Sequence, residues 1–222
     1  MSKEIKAFIF DLDGVLVDTA KFHFLSWKRL AEELGIYTFT EAENEKLKGV
    51  SRMASLDIIL QLGGLKLGQA EKEALANRKN NWNLEYLETL TEDDVLPGVL
   101  SLLEEIETAG LKIGLGSASK NAELIIDKVG IRHFFNALVD GNKTINAKPD
   151  PEVFLKCAKE LETPPQYCVV FEDAQAGIEA ATRAGMSVIG IGDEEVLRGG
   201  DKIVPNFKVM NLAYLAEVLH SS

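Results

Sequence analysis

The sequence predicts an α/β fold, a doubly wound parallel-sheet core with a helical second domain inserted after the first strand. Three observations predict it. Short, almost wholly apolar runs recur along the chain, as strands buried on both faces of a parallel sheet require. Helical patterns separate the later runs, and strand alternating with helix is the mark of a doubly wound core. Between about Thr19 and Glu92 the alternation stops, and no convincing strand interrupts that stretch.

The first strand is read over residues 5–11, IKAFIFD. Phe22, Leu25, Trp27, Leu30, Ala31 and Leu34 then fall at helical spacing, and 53–62 and 69–88 continue the helical reading. A block of roughly 70 residues is too long for a connection within a βα unit, so it forms a separate domain. Segments near 14–18 and 92–98 cross between the two parts, which sets boundaries of 1–17 and 93–222 for the core and 18–92 for the insertion. The core resumes with a helix over Val99–Ala109 and a strand over Leu111–Ser117. A helix over Ala122–Val129 and a weaker strand over 137–141 follow. A helix at Pro151–Glu162, a strand at Cys168–Asp173, a helix at Gln175–Ala184 and a strand at Ser187–Gly192 complete the reading. No internal repeat or low-complexity tract occurs.

Composition narrows the class of function. The chain of 222 residues is 46% apolar and 27% charged, ordinary for a soluble protein with a substantial core. Its net charge of −11 would repel nucleic acid and anionic membrane, so neither is an expected partner. No run approaches the ~20 apolar residues of a membrane helix, and Met1–Lys6 lacks the apolar stretch of a secretory signal. Two cysteines, Cys157 and Cys168, make no disulfide framework or zinc spacing, which suits a reducing cytosol and a cytoplasmic location. An anionic small molecule stays possible for so acidic a chain, but it needs local cations or a metal.

The chemistry starts at AFIFDLDGVLVDT, Ala7 to Thr19. Residues two apart in an extended chain share a side, so Asp11 and Asp13 converge if that geometry continues through Leu12. Gly14 then permits a sharp turn. Ligands of open α/β sheets bind beyond the carboxyl ends of the strands, where this pair sits. Loop acids that merely cap the next helix would not need an apolar strand leading straight into them. Glu172-Asp173 end a second apolar run, on the same rim. Two like charges 4 Å apart repel by about 4 kcal/mol at an effective dielectric near 20, so four such acids call for a cation. Oxygen-only ligation favours Mg²⁺, which commonly shares its shell with substrate phosphate.

Candidate cations for that phosphate also stand at strand ends. Ser117-Ala118-Ser119-Lys120-Asn121 opens a helix whose N-terminal amides suit an anion. Lys148 precedes Pro149, which with Pro151 restricts the backbone that presents it. Taken alone, Lys120 or Lys148 reads as a solvated surface charge. Ser117-x-x-Lys120 lacks the companion motifs of a serine β-lactamase, Gly114-x-Gly116 lacks the third glycine of a dinucleotide loop, and Asp140-Gly-Asn142 lacks the terminal acid of a calcium loop.

Asp11-Leu-Asp13-Gly14, Ser117, Lys148 and Glu172-Asp173, in that order, resemble the haloacid dehalogenase superfamily. The resemblance implies aspartyl-phosphate chemistry on a Rossmann-like core with an inserted helical cap domain. DLDGVLVDTAKFHFLSWK (11–28), LKGVSR (47–52), NRKN (77–80), GSASKN (116–121) and EDAQAGI (172–178) together resemble the β-phosphoglucomutase family within it, over essentially the whole chain. Met53 departs from an acid common in that family, and Ala174 from a familiar serine.

That likeness assigns roles. Asp11 is the implied nucleophile and Asp13 the general acid and base. Mg²⁺ is held by Asp11, the backbone carbonyl of Asp13, and Asp173, with Glu172 a ligand or an orienter. Ser117 and Lys148 neutralise the transferring phosphoryl group. Arg52 grips a second phosphate, supported by Lys48, Gly49, Val50, Ser51 and Lys79 of the cap and by Ala118, Ser119, Lys120 and Asn121 of the core. Thr19 and His23 order the Asp13 loop on closure; without the family likeness, His23 reads as a packed helix histidine. The implied activity interconverts β-D-glucose 1-phosphate and glucose 6-phosphate in a monomer, primed by glucose 1,6-bisphosphate. The alternatives are a sugar-phosphate phosphatase with the same core, which the cap motifs disfavour, and an idle phosphosugar-binding module, which the complete carboxylate set disfavours.

Overall fold

A computed structural model describes residues 4–220, except the side chain of His220, so Met1–Lys3 of the N-terminal reading lie outside the described residues. Strand β1 (Ala7–Phe10) stops one residue short of Asp11. Four helices follow: α1 (Ala20–Glu33), α2 (Glu41–Glu45), α3 (Arg52–Leu62) and α4 (Gln69–Leu87). The chain then runs through α5 (Val99–Thr108), β2 (Lys112–Gly116), α6 (Ala122–Lys128) and β3 (Ala137–Val139). It continues with α7 (Glu152–Glu160), β4 (Cys168–Glu172), α8 (Gln175–Arg183) and β5 (Ser187–Ile191). It closes with β6 (Lys202–Val204) and α9 (Leu212–His220).

The six strands form one parallel sheet in the order β3-β2-β1-β4-β5-β6. Strand order reverses between β1 and β4, which opens the crevice where such sheets bind ligands. Side chains alternate across β1. Phe8 and Phe10 face a core built with Leu102, Ile106 and Phe171, where the Phe10 and Phe171 rings stack 4.6 Å apart. Ala7 and Ile9 face the opposite core with Phe154, Cys157 and Ala181. Burying one such phenylalanine contributes about 1.5–3 kcal/mol. Both cysteines are buried free thiols.

A third apolar cluster belongs to the helical block: Trp27, Leu30 and Ala31 of α1 pack with Leu56, Ile59 and Leu60 of α3 and with Ala76 and Trp82 of α4. Two adjacent segments join this block to the sheet. Val17 and Val95 form an antiparallel bridge, and the amide of Leu96 donates to the carbonyl of Leu16 at 2.9 Å. The crossings expected near 14–18 and 92–98 therefore run side by side. Among the described residues no helix is long and apolar enough to cross a membrane.

Three elements differ from the sequence reading. Helix α2 and strand β6 are too short to show a period. Helix α9 does carry one, in Leu212, Leu215 and Leu219, but lies beyond the last expected strand.

Candidate active site

Asp11 and Asp13 meet in one cavity of about 660 Å³ between the sheet and the helical block. The strand itself does not extend through Leu12. Instead, Leu12 turns into the core, and its carbonyl accepts the amides of Val15, Leu16 and Val17. Parity is kept through the turn, and the two acids share the open side. Gly14 makes the turn possible. Its φ is +82°, and a Cβ there would lie 2.3 Å from Asp173 Oδ2, so a side chain at this position would collide with the second acidic motif.

Asp11, Glu172 and Asp173 each offer an oxygen, all within 4.8 Å of one another. Lys148 lies beneath them, fully enclosed, with Nζ 2.5 Å from Asp11 Oδ1 and 2.8 Å from Glu172 Oε2. It is no surface charge. The Lys148–Pro149 peptide is cis. Burial would lower the Lys148 pKa, but the Asp11 and Glu172 carboxylates overcome it and hold the pKa above the ordinary lysine value. Burial raises Asp11 to about 6, against the pull of Lys148. It raises Glu172 to about 7, again against Lys148, and Asp173 to about 7, where Glu172 adds to the effect. With all three carboxylates ionised, the one ammonium leaves an excess of two negative charges, which their raised pKa values reflect. An oxygen-only donor set with that excess fits a divalent Mg²⁺.

Glu172 is already committed on both oxygens, since Oε1 accepts the Ala174 amide at 3.1 Å. A Cβ on Gly177 would come within 2.0 Å of its carboxyl carbon, so α8 must carry glycine there. Ala174, at the N-cap of α8, supplies no side-chain cap.

Asp13 is handled from α1. Thr19 occupies the N-cap position of that helix, yet its hydroxyl caps nothing and donates to Asp13 Oδ1 instead. One turn on, His23 Nε2 lies 3.7 Å from the same oxygen, and its Nδ1 lies 3.1 Å from Lys79 Nζ. Burial, with Lys79 adding to it, lowers His23 to about 4. When protonated, Lys79 can only donate, so Nδ1 is then bare and the imidazole proton sits on Nε2, on the side of Asp13. Burial and then Arg52 lower Lys79 to about 7.

Lys48, Gly49, Val50, Ser51 and Arg52 all line the cavity, as do Ser117, Ala118, Ser119 and Lys120. Ser51 caps α3 by accepting the Ala54 amide at 3.3 Å, which starts the helix at Arg52. Among the described residues no carboxylate lies within ion-pair distance of Arg52. Burial lowers its pKa. Met53 lies beside it on the cavity wall.

The phosphate loop differs in part from expectation. Helix α6 begins only at Ala122, and the amides of Ser119 and Asn121 are taken by Ser117 Oγ and Ser119 Oγ. Lys120 is exposed. Asn121 does not line the cavity; its Nδ2 donates to Asn80 Oδ1 across the cleft at 3.1 Å. Thr19, Lys148 and Glu172 also stand behind the lining, Thr19 against Asp13, and Lys148 between Asp11 and Glu172. The cavity gathers residues the sequence reading missed, including Ser55, Gln69, Glu73 and Asn77, and the 141–147 loop apart from Asn142 and Lys143. Ser55 is one turn from Arg52, and Gln69, Glu73 and Ala76 repeat at helical spacing toward Lys79. That face was readable.

The chain matches the haloacid dehalogenase-like hydrolase family over residues 8–191. It is 43% identical to the β-phosphoglucomutase of Bacillus subtilis over 215 residues, covering 96% of this chain and 95% of that protein. It is 32% identical to a phosphorylated carbohydrates phosphatase of Thermotoga maritima, covering 83% and 84%. The crystal structure of a β-phosphoglucomutase from Clostridium difficile superposes with a TM-score of 0.94 at 42% identity, covering 98% of each chain.

Proposed function

This chain belongs to the haloacid dehalogenase-like hydrolase family, and from that premise we propose that it is a phosphomutase interconverting β-D-glucose 1-phosphate and glucose 6-phosphate. One observation carries the choice of mutase over phosphatase: the cavity has a carboxylate floor and a cationic roof. Arg52 and Lys79 face it with no carboxylate within ion-pair distance among the described residues; burial lowers the pKa of both, and Arg52 lowers that of Lys79 further. Cations held together at that cost await an anion that is not the reacting phosphate. A sugar bisphosphate supplies one phosphate to each end.

We take residues 1–17 and 93–222 as the catalytic core and 18–92 as the cap. Asp11 attacks the phosphorus, and the bond from phosphorus to the sugar oxygen breaks as an aspartyl phosphate forms. Asp13 gives its proton to the departing oxygen and later takes one from the attacking sugar hydroxyl. Asp11, Asp173 and the Asp13 carbonyl would hold Mg²⁺, with Glu172 orienting Lys148. When bound, the metal neutralises phosphoryl charge. Ser117 and Lys148 steady the phosphoryl oxygens from the protein side. Arg52 holds the idle phosphate bidentately while the sugar turns over, and glucose 1,6-bisphosphate primes the cycle. Thr19 and the His23–Lys79 pair align Asp13 once the cap is closed, so the sugar hydroxyl is favoured over water.

The phosphatase relative keeps a second reading open, because Asp11 and Asp13 serve hydrolysis equally well. The test offers each anomer of glucose 1-phosphate with Mg²⁺ and a trace of bisphosphate. Conversion of the β-anomer to glucose 6-phosphate, with the α-anomer a poor substrate, supports the proposal. Release of phosphate alone from either anomer contradicts it.

A further inference from the structure

Lys48 lies between α2 and α3 and borders two cavities: the one above, and a second of about 600 Å³ behind it. The second lies between Glu45 of the cap and the chain beyond β5 and β6. Lys48 Nζ is 2.9 Å from Glu45 Oε2 on its own segment, and 3.7 Å from Asp173 Oδ2 across the cleft. The next residue, Gly49, has a φ of +72°, and a Cβ there would lie 3.2 Å from Ala174 Cβ. The cap loop is thus pressed onto the core immediately beside an acid of the carboxylate floor. On another part of the cleft the cap meets the core through Asn80 and Asn121, which involve no member of that floor.

We propose that Lys48 is a latch that competes with the divalent cation for Asp173, so that metal uptake and release of the cap loop are one coupled step. The inference rests on the reading of Asp11, Glu172 and Asp173 as a metal site. Two cations at one carboxylate repel each other and weaken each other's hold, even where both are tolerated as with Lys148 and the metal at Asp11, and partial burial weakens the screening that would relieve it. Whatever the metal does to the latch, the latch must do to the metal by the same factor. Lys48 therefore holds the sugar-free, metal-free cap against the core. Metal frees the loop, the cleft opens to sugar, and Lys48 becomes available to an incoming phosphate. Glu45 sets the strength of the latch, because it offers the same ammonium a second carboxylate on the cap itself.

Titration calorimetry with Mg²⁺ alone, paired with solution scattering before and after Mg²⁺, tests this without substrate or turnover. Lys48→Met is expected to bind Mg²⁺ about tenfold more tightly than the natural protein. Glu45→Gln, which leaves Lys48 to Asp173, is expected to bind about threefold more weakly. Mg²⁺ should increase the radius of gyration of the natural protein and of Lys48→Arg, and leave Lys48→Met unchanged. Mg²⁺ affinity within twofold of natural in Lys48→Met, or a natural protein whose scattering ignores bound Mg²⁺, overturns the latch alone. No Mg²⁺ uptake by the natural protein overturns the metal reading and the latch with it.

Discussion

Lys148 Nζ lies 2.5 Å from Asp11 Oδ1, and the two side chains are almost wholly sealed from solvent. The same ammonium reaches Glu172 at 2.8 Å, so one cation holds two buried carboxylates from two different strand ends. Removing one member of a buried charge network costs about 3–5 kcal/mol, because the remaining charges are left uncompensated. Lys148→Met should therefore lower unfolding stability by about that much. Saturating Mg²⁺ should restore part of the loss by binding only the folded chain. Urea unfolding with and without Mg²⁺ measures both; an undiminished midpoint would remove Lys148 from this role.

Asp11→Asn keeps the side-chain shape and leaves Lys148 its bond to Glu172. The fold should persist while covalent phosphorylation is lost. Turnover should fall at least a thousandfold, about 4 kcal/mol of barrier. Intact-mass measurement after incubation with bisphosphate reads the phosphoenzyme directly. A phosphorylated, active Asp11→Asn protein would reassign the nucleophile.

Arg52→Ala leaves the carboxylate floor untouched and removes the unpartnered guanidinium from the roof. Mutase kcat/KM should drop roughly thirtyfold, about 2 kcal/mol, the scale of a hydrogen bond to a charged group. Hydrolysis of a small activated phosphate, which has no distal anion, should change by less than about threefold. Equal losses in the two assays would make Arg52 structural.

Lys79 gives a pH signature. Its pKa falls from 10.5 in the unfolded chain to about 7 in the fold, chiefly through burial. Between those values the unfolded state binds the extra proton, so stability rises with pH across that window, and the cost is fully present below about pH 7. The gain in unfolding midpoint from pH 7 to pH 9.5 should be larger for the natural protein than for Lys79→Met. Identical pH profiles would contradict the buried, depressed lysine.

Much of the core was legible because its signals are local. Buried strands on both faces of a parallel sheet read as unbroken apolar runs, and Gly14 after Asp13 announces the turn that Asp173 requires. The pairing of Asp11 with Lys148, 137 residues away, comes from the order in which strands enter the sheet, which no local pattern encodes. Asn121 shows the limit of motif reading: it sits in the phosphate loop by sequence and faces Asn80 of the cap in space. Thr19 shows what a family likeness adds. Local pattern alone would make a threonine before a helix its cap, whereas the likeness assigns Thr19 to the Asp13 loop, and its hydroxyl donates to Asp13.

The central claim is that the closed cap delivers the aspartyl phosphate to a sugar hydroxyl in preference to water. The most direct measurement is one progress curve from β-glucose 1-phosphate, Mg²⁺ and trace bisphosphate, followed both as glucose 6-phosphate and as free phosphate. The expected result is glucose 6-phosphate exceeding phosphate by at least about a hundredfold, a partition of about 2.7 kcal/mol in favour of the hydroxyl. Phosphate appearing as fast as sugar phosphate is consumed, with no glucose 6-phosphate formed, would contradict it.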